Sequence, residues 1–141
     1  MSTEQNKTVF RRLVEEVINT GNTDAADAVM ARDYVGHFPG LPPVQGLEAW
    51  KQLASGAYLS AFPDLHCTLE DVVAEGDKVV GRFTSHATHK GALMGIPATG
   101  KPVTFGSIVI QRIADGKIVE EWHQDDMMGI LQQIGAIPAI S

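Results

Sequence analysis

The chain has one cysteine, no apolar run of membrane-spanning length and no cluster of basic residues. Each shortage removes a class of protein. A lone Cys67 cannot close an internal disulfide, which makes a reducing compartment the expectation. No stretch approaches the roughly 20 apolar residues that a bilayer crossing needs. The opening MSTEQNKTVF also lacks the apolar centre of a signal peptide. The expected location is therefore cytoplasmic, with no membrane partner. Lys and Arg number 11 against 17 Asp and Glu, a net charge of -6. The basic residues are scattered, whereas phosphate binding gathers them on one face, so no nucleic-acid partner is expected.

Several chemical signatures are missing too. Ser85 and Ser107 have no GxSxG context for a serine hydrolase. The stretch GIPATG, at 95–100, is glycine-rich but does not link a strand to a helix in the way a phosphate loop does. No helical i, i+4 histidine pair or close cysteine spacing suggests zinc, and His86 and His89 have opposite parity on a regular strand. Neither a metal nor a cofactor is expected.

What is present reads as one domain over residues 1–141. Hydrophobic residues make up 44% and charged residues 20%, enough to bury a core. In TVFRRLVEEVINTGN, Val9, Phe10, Leu13, Val14, Val17 and Ile18 recur at helical spacing behind a Ser2 or Thr3 cap. TDAADAVMARDY reads as a short second helix, VGHFPGLPPVQG as a loop, and LEAWKQLASGAYLSAF as a third helix stopped by Pro63–Asp64. From Leu65 onward the alternation is that of strands. A turn near Gly76 joins the first two, a long loop follows His89, a hairpin turns at 114–116, and MMGILQQIG closes as a helix. Helices first and an antiparallel meander afterwards define an α+β fold with helices on one sheet face. Cys67 is expected to be a small buried group, with His66 on the opposite face of its strand.

The last hairpin carries the chemistry. Either Asp115–Gly116 is a two-residue turn, or Ala114–Asp115–Gly116 is a three-residue loop with a bulge; the second is preferred. It places Ile108, Ile110, Arg112, Ile118, Glu120, Trp122, Gln124 and Asp126 on one face, and Ser107, Val109, Gln111, Lys117, Val119, Glu121, His123 and Asp125 on the other. The first set has the larger apolar side chains and is taken as the inner one. Asp126 is then the suspect acid, in an apolar concavity beside Trp122, where desolvation would tune it as a general acid or base. It could equally cap the helix that follows, and spacing alone leaves both roles open. His37, in a loop, is a candidate for hydrogen bonding a substrate oxygen. Val109, Val119 and His123 would form an outer face able to pair with a second subunit, and a homodimer is expected.

The stretches ARDYVGHFPG, HKGALMGIPATGKPVTF and IQRIADGKIVEEWHQDDMMGILQQIG together resemble the SnoaL-like polyketide cyclases, or ester cyclases, of the nuclear-transport-factor-like superfamily. The resemblance spans nearly the whole chain. It rests most firmly on the G-x-P-x-T-G-[KR] loop and on the D-G-K-I-V-E-x-W-x-x-x-D-x-x-G ending. It implies a cone-shaped α+β barrel, a curved antiparallel sheet wrapped around N-terminal helices. The implied activity is a cofactor-independent intramolecular aldol condensation that closes a ring in a polyketide or other polycarbonyl ester. By the same resemblance Asp126 is the acid–base residue, His37 matches the family's loop histidine, and His89 keeps the histidine of a G-T-H segment that here reads Ala87–Thr88–His89. Arg112 stands where some members carry histidine; a guanidinium cannot exchange protons near neutral pH, so it could only polarise an oxygen. The ligand-lining set expected is Trp122, Gln124, His89, Trp50, Ile108, Ile110 and Phe38, around an apolar or polycarbonyl small molecule. Other uses of this fold are epoxide hydrolysis, ketosteroid-type isomerisation, and ligand binding or dimerisation without catalysis.

Overall fold

A computed structural model describes residues 2–139. Helix α1 (Thr3–Arg12) starts at a capping box: the Ser2 hydroxyl accepts from Gln5 N–H, and the Gln5 side chain accepts from Ser2 N–H. It runs on into a π-type segment, Leu13–Ile18, and Val9, Phe10, Leu13, Val14 and Val17 of the expected stripe are all buried. A 3₁₀ helix (Thr23–Ala28) follows, then β1 (Met30–His37) and β2 (Val44–Gln45). The second helix expected to reach Tyr34 thus stops at Ala28, and the loop expected around His37 contains strand at both ends. Pairing overrides local propensity here: β1 is hydrogen-bonded on both sides, parallel to β6 and antiparallel to β2.

Helix α2 (Leu47–Leu53) continues through a π-type segment (Ala54–Tyr58) into α3 (Leu59–Ala61). Strands β3 (His66–Glu75), β4 (Lys78–Thr88), β5 (Pro102–Ala114) and β6 (Lys117–Asp125) make the meander, and α4 (Met127–Gln133) ends it. The six strands form one sheet in the order β2-β1-β6-β5-β4-β3, with β1–β6 its parallel pair. This is the expected α+β architecture of a curved sheet over N-terminal helices. Helix α1 lies against β3 and β4, and Gly81 is what lets it approach: a Cβ there would stand 2.3 Å from the Phe10 ring. Among the described residues, no helix is long and apolar enough to cross a membrane.

The β5–β6 hairpin departs from expectation in two ways. Its turn is the two-residue Asp115–Gly116, both with positive φ (52° and 75°), closing Ala114 against Lys117. A bulge then shifts the register between Arg112 and Ile113, so that Ile113 faces Ile118 but Arg112 faces Glu120. The bulge restores the expected partition beyond it, with Arg112, Ile110 and Ile108 opposite Glu120, Trp122 and Gln124. Ile118, before the bulge, is buried in the core instead. The second departure is larger: the face taken as inner is the outer one. Ile108 and Ile110 are 50% and 36% exposed, while Val109, Gln111 and Glu121 are buried.

Candidate active site

Between the inner sheet face and the helices lies a partly open cavity of about 110 Å³. Its walls are mostly apolar, with Phe10 from α1, Leu13 from the π-type segment after it, Trp50 from α2 and Phe62 just beyond α3. Polar groups are confined mainly to the sheet side: Ser85 on β4, Gln111 on β5, and Glu121, His123 and Asp125 on β6. Alternation along β6 puts the three ionisable residues on one face, roughly 7 Å apart in sequence order. Tyr58 faces them from the helical side.

Glu121 is fully buried and held on both oxygens. The Tyr34 hydroxyl donates to Oε1 at 2.6 Å, and Gln111 Nε2 donates to Oε2 at 2.7 Å. Tyr34 reaches it across Gly36, the residue paired with Glu121 on β6. A Cβ at position 36 would lie 2.3 Å from the Tyr34 hydroxyl oxygen. His123 Nε2 stands 3.5 Å from Glu121 Oε1, an ion-pair contact longer than an ordinary hydrogen bond. Burial favours the neutral imidazole, but the carboxylates of Glu121 and Asp125 outweigh it and hold His123 above its usual range. Burial likewise works against ionised Glu121, and His123, Tyr34 and Gln111 together overcome it, leaving its carboxyl below the usual range. The Phe38 ring stacks on His123 with centroids 4.4 Å apart.

Asp125, the last residue of β6, receives a 2.5 Å hydrogen bond from the Ser107 hydroxyl across the hairpin. Its charge is felt by the cavity's weaker acids. Burial first, and Asp125 second, push the Tyr58 phenol up to about 12. The Cys67 thiol, 3.1 Å from the Ser85 hydroxyl, is raised by burial and by Asp125 despite that hydrogen bond.

The residues singled out from the sequence divide between two sides of the sheet. Trp50 and Phe38 line the cavity as expected. Asp126 does not: it is exposed, and its side chain caps α4 by accepting from Gly129 N–H at 2.9 Å. The chain leaves the sheet at Asp125, so the next residue serves the helix instead of the cavity. Asp126, Gln124 and Ile108 border a more open groove with Arg82 and Thr84, and Asp125 and Ser107 reach its edge. His37, Arg112 and Trp122 also gather outside. His37 Nε2 lies 2.9 Å from Glu120 Oε2, Arg112 Nη2 lies 3.4 Å from Glu120 Oε1, and the His37 ring stacks on Trp122. The bond from His37, helped by Arg112, holds the Glu120 carboxyl below its ordinary range. Ile110 points outward with them. His89 is fully buried near Phe62, where Nδ1 accepts from Thr99 N–H and pins the 89–101 loop, and it does not line the cavity. Val109 and His123, expected on a face free to meet another subunit, are cavity wall.

The groups missed from the sequence are Asp125, His123, Glu121, Gln111, Tyr34 and Tyr58. A signal for three of them was in plain view: Glu121-x-His123-x-Asp125 is the i, i+2, i+4 pattern of one strand face.

A mostly apolar cavity with convergent ionisable groups on one wall is the build of a small-molecule enzyme site. Residues 8–134 match the model of the SnoaL-like polyketide cyclase family, and the chain belongs to that family of enzymes. It is 31% identical, over 90% of its length and 80% of the relative's, to the aklanonic acid methyl ester cyclase DauD of Streptomyces sp. strain C5. The nogalonic acid methyl ester cyclase of Streptomyces nogalater is also 31% identical, over 83% of this chain and 88% of that one. Among solved structures, TsrD of Streptomyces laurentii superposes with a TM-score of 0.86 at 28% identity, covering 97% of this chain and 99% of that one.

Proposed function

We propose that the protein closes a ring in a polycarbonyl ester by an intramolecular aldol reaction, with Asp125 as the proton carrier. The observation that carries this reading is a carboxylate in the wall of a mostly apolar cavity, with one oxygen bound by Ser107. The family resemblance assigns that role to Asp126, whose carboxylate is engaged outside as a helix cap. Asp125 takes over the role in this account.

The chemistry balances without a co-reactant. Asp125 accepts a proton from a carbon between carbonyls, and the electron pair of that C–H bond becomes an enolate. The enolate carbon bonds to a second carbonyl carbon, whose π pair becomes an alkoxide, and the alkoxide takes a proton. Substrate and product are isomers. The apolar walls fold the chain so that the two carbons meet, and preorganisation of that kind supplies much of the rate. Polar donors on the sheet side lower the energy of the developing oxyanion. A second carboxylate on the same wall, Glu121, favours epoxide hydrolysis as a rival. Both its oxygens are already bound, however, by Tyr34 and Gln111.

The test is to incubate the purified protein with aklanonic acid methyl ester, the compound in its relatives' names, and to follow the product by mass and NMR. A ring-closed isomer formed without added cofactor is expected, and Asp125→Asn slows its formation by about 10²–10⁴-fold. Unchanged turnover in that variant overturns the role of Asp125. A product one water heavier from an epoxide probe, with no isomer from the ester, overturns the ring-closure reading.

A further inference from the structure

We propose that Glu121 is a positioning residue that holds His123 as a charged proton donor facing the cavity, where its Nδ1–H meets the oxygen on which negative charge develops. This rests on the ring-closure reading and adds a second proton carrier to it.

The argument starts from charge. Among the described residues, no Lys or Arg lines the cavity, while two carboxylates, Glu121 and Asp125, flank His123 on its own strand. Two ionised carboxylates around an apolar space oppose each other's charge, and an imidazolium between them relieves that opposition. The remaining titratable groups are neutral acids: Tyr58 after α2 and Cys67 on β3 in the cavity wall, and Tyr34 on β1 behind Glu121. All three are pushed upward, primarily by burial, so none supplies a positive charge or a further negative one near neutral pH.

Geometry then fixes the direction of the ring. Glu121 cannot swing away, because Tyr34 and Gln111 clamp one oxygen each and Gly36 gives Tyr34 its path. Nε2 of His123 is completely buried and has no hydrogen-bond partner; the charge it faces is Glu121 Oε1, 3.5 Å away. Phe38 covers one face of the imidazole. With Nε2 committed to the carboxylate, Nδ1 is the nitrogen left for a bound molecule. A carboxylate fixing one imidazole nitrogen so that the other can move a proton is the same division of labour as in a catalytic triad.

The proton balance closes. Asp125 gains the carbon-bound proton, His123 gives its Nδ1 proton to the new alkoxide, and Asp125 returns its proton to His123. Both residues end as they began.

The experiment labels the histidines with ¹⁵N and follows their imidazole signals against pH in the ligand-free protein, with His123 assigned by its loss in His123→Gln. In the wild type, His123 is expected to titrate above the ordinary imidazole value of 6.5. In Glu121→Gln its midpoint moves to lower pH, and the alkaline limb of the kcat profile moves with it. A purely structural Glu121 would alter the folded fraction without moving that limb. The new amide has a partner available, since the Gln111 amide can turn over to present Oε1, which has no partner in the wild type. A wild-type His123 that is neutral at pH 7, or an identical midpoint in Glu121→Gln, overturns the proposal. Should Glu121→Gln not fold, the wild-type titration still decides. Because that titration needs no substrate, a protein that shows it but closes no ring overturns the cyclase reading alone.

Discussion

The two faces of the β5–β6 hairpin carry opposite compositions from those that burial alone would assign. The outward face holds Ile108, Ile110 and Trp122, with Arg112, Glu120 and Gln124 between them. The inward face holds Ser107, Gln111, Glu121, His123 and Asp125, with Val109 among them. On a sheet packed solidly against helices, the larger apolar set turns inward. Here the helices do not fill the space above β5 and β6, and polar side chains border the space left. The difference separates two kinds of charge pairing. Inside, each oxygen of Glu121 has its own donor and solvent is excluded. Outside, His37, Glu120 and Arg112 share partners at the edge of bulk water, where screening weakens them.

Substitutions can break this contrast, and the inner face should suffer most. Gly36→Ala puts a methyl group where the Tyr34 hydroxyl lies, combining overpacking with loss of a hydrogen bond to a buried charge. A cost of about 2–5 kcal/mol follows, read by chemical denaturation. Next is the cap. Asp126→Ala frees the Gly129 N–H and is expected to cost about 1 kcal/mol, measurable in the same way, without touching ring closure. Smallest is the outer cluster. His37→Ala should change stability by less than about 1 kcal/mol and leave turnover unaltered, in contrast to the role the family resemblance implies for that histidine.

Acidity sharpens the comparison. Glu121 is held below its ordinary value of 4.5, so its ionised interactions stabilise the fold above that pH and are lost as pH falls through its folded value. His123 is held above 6.5, so its contribution is complete below that pH and is lost as pH rises through its folded value. The two windows overlap between 4.5 and 6.5. The stability difference between wild type and Glu121→Gln should therefore be greatest there and shrink on both sides. A difference flat across pH would show that the pair is not ionised.

Much of the fold was readable from local pattern. The α1 stripe, the Ser2 cap, the β3–β4 and β5–β6 hairpins and the closing helix all follow from periodicity and turn chemistry acting over a few residues. Strand β1 was not readable, because MARDYVGH pairs in parallel with a strand more than 80 positions later and no hairpin announces it. The partition of β5–β6 was legible but its orientation was not. Counting apolar side chains presumes a filled core, and a cavity under β5 and β6 reverses the count there. Trp122 misled for the same reason: it is a large aromatic ring stacked against His37 on the outside.

The most direct test sets two neighbours side by side. Ring closure should be compared in Asp125→Asn and Asp126→Asn, each corrected for its folded fraction. If the inner face does the chemistry, Asp125→Asn loses about 10²-fold or more in kcat, and Asp126→Asn keeps the wild-type value. The reverse pattern, a dead Asp126→Asn beside an active Asp125→Asn, would contradict the account.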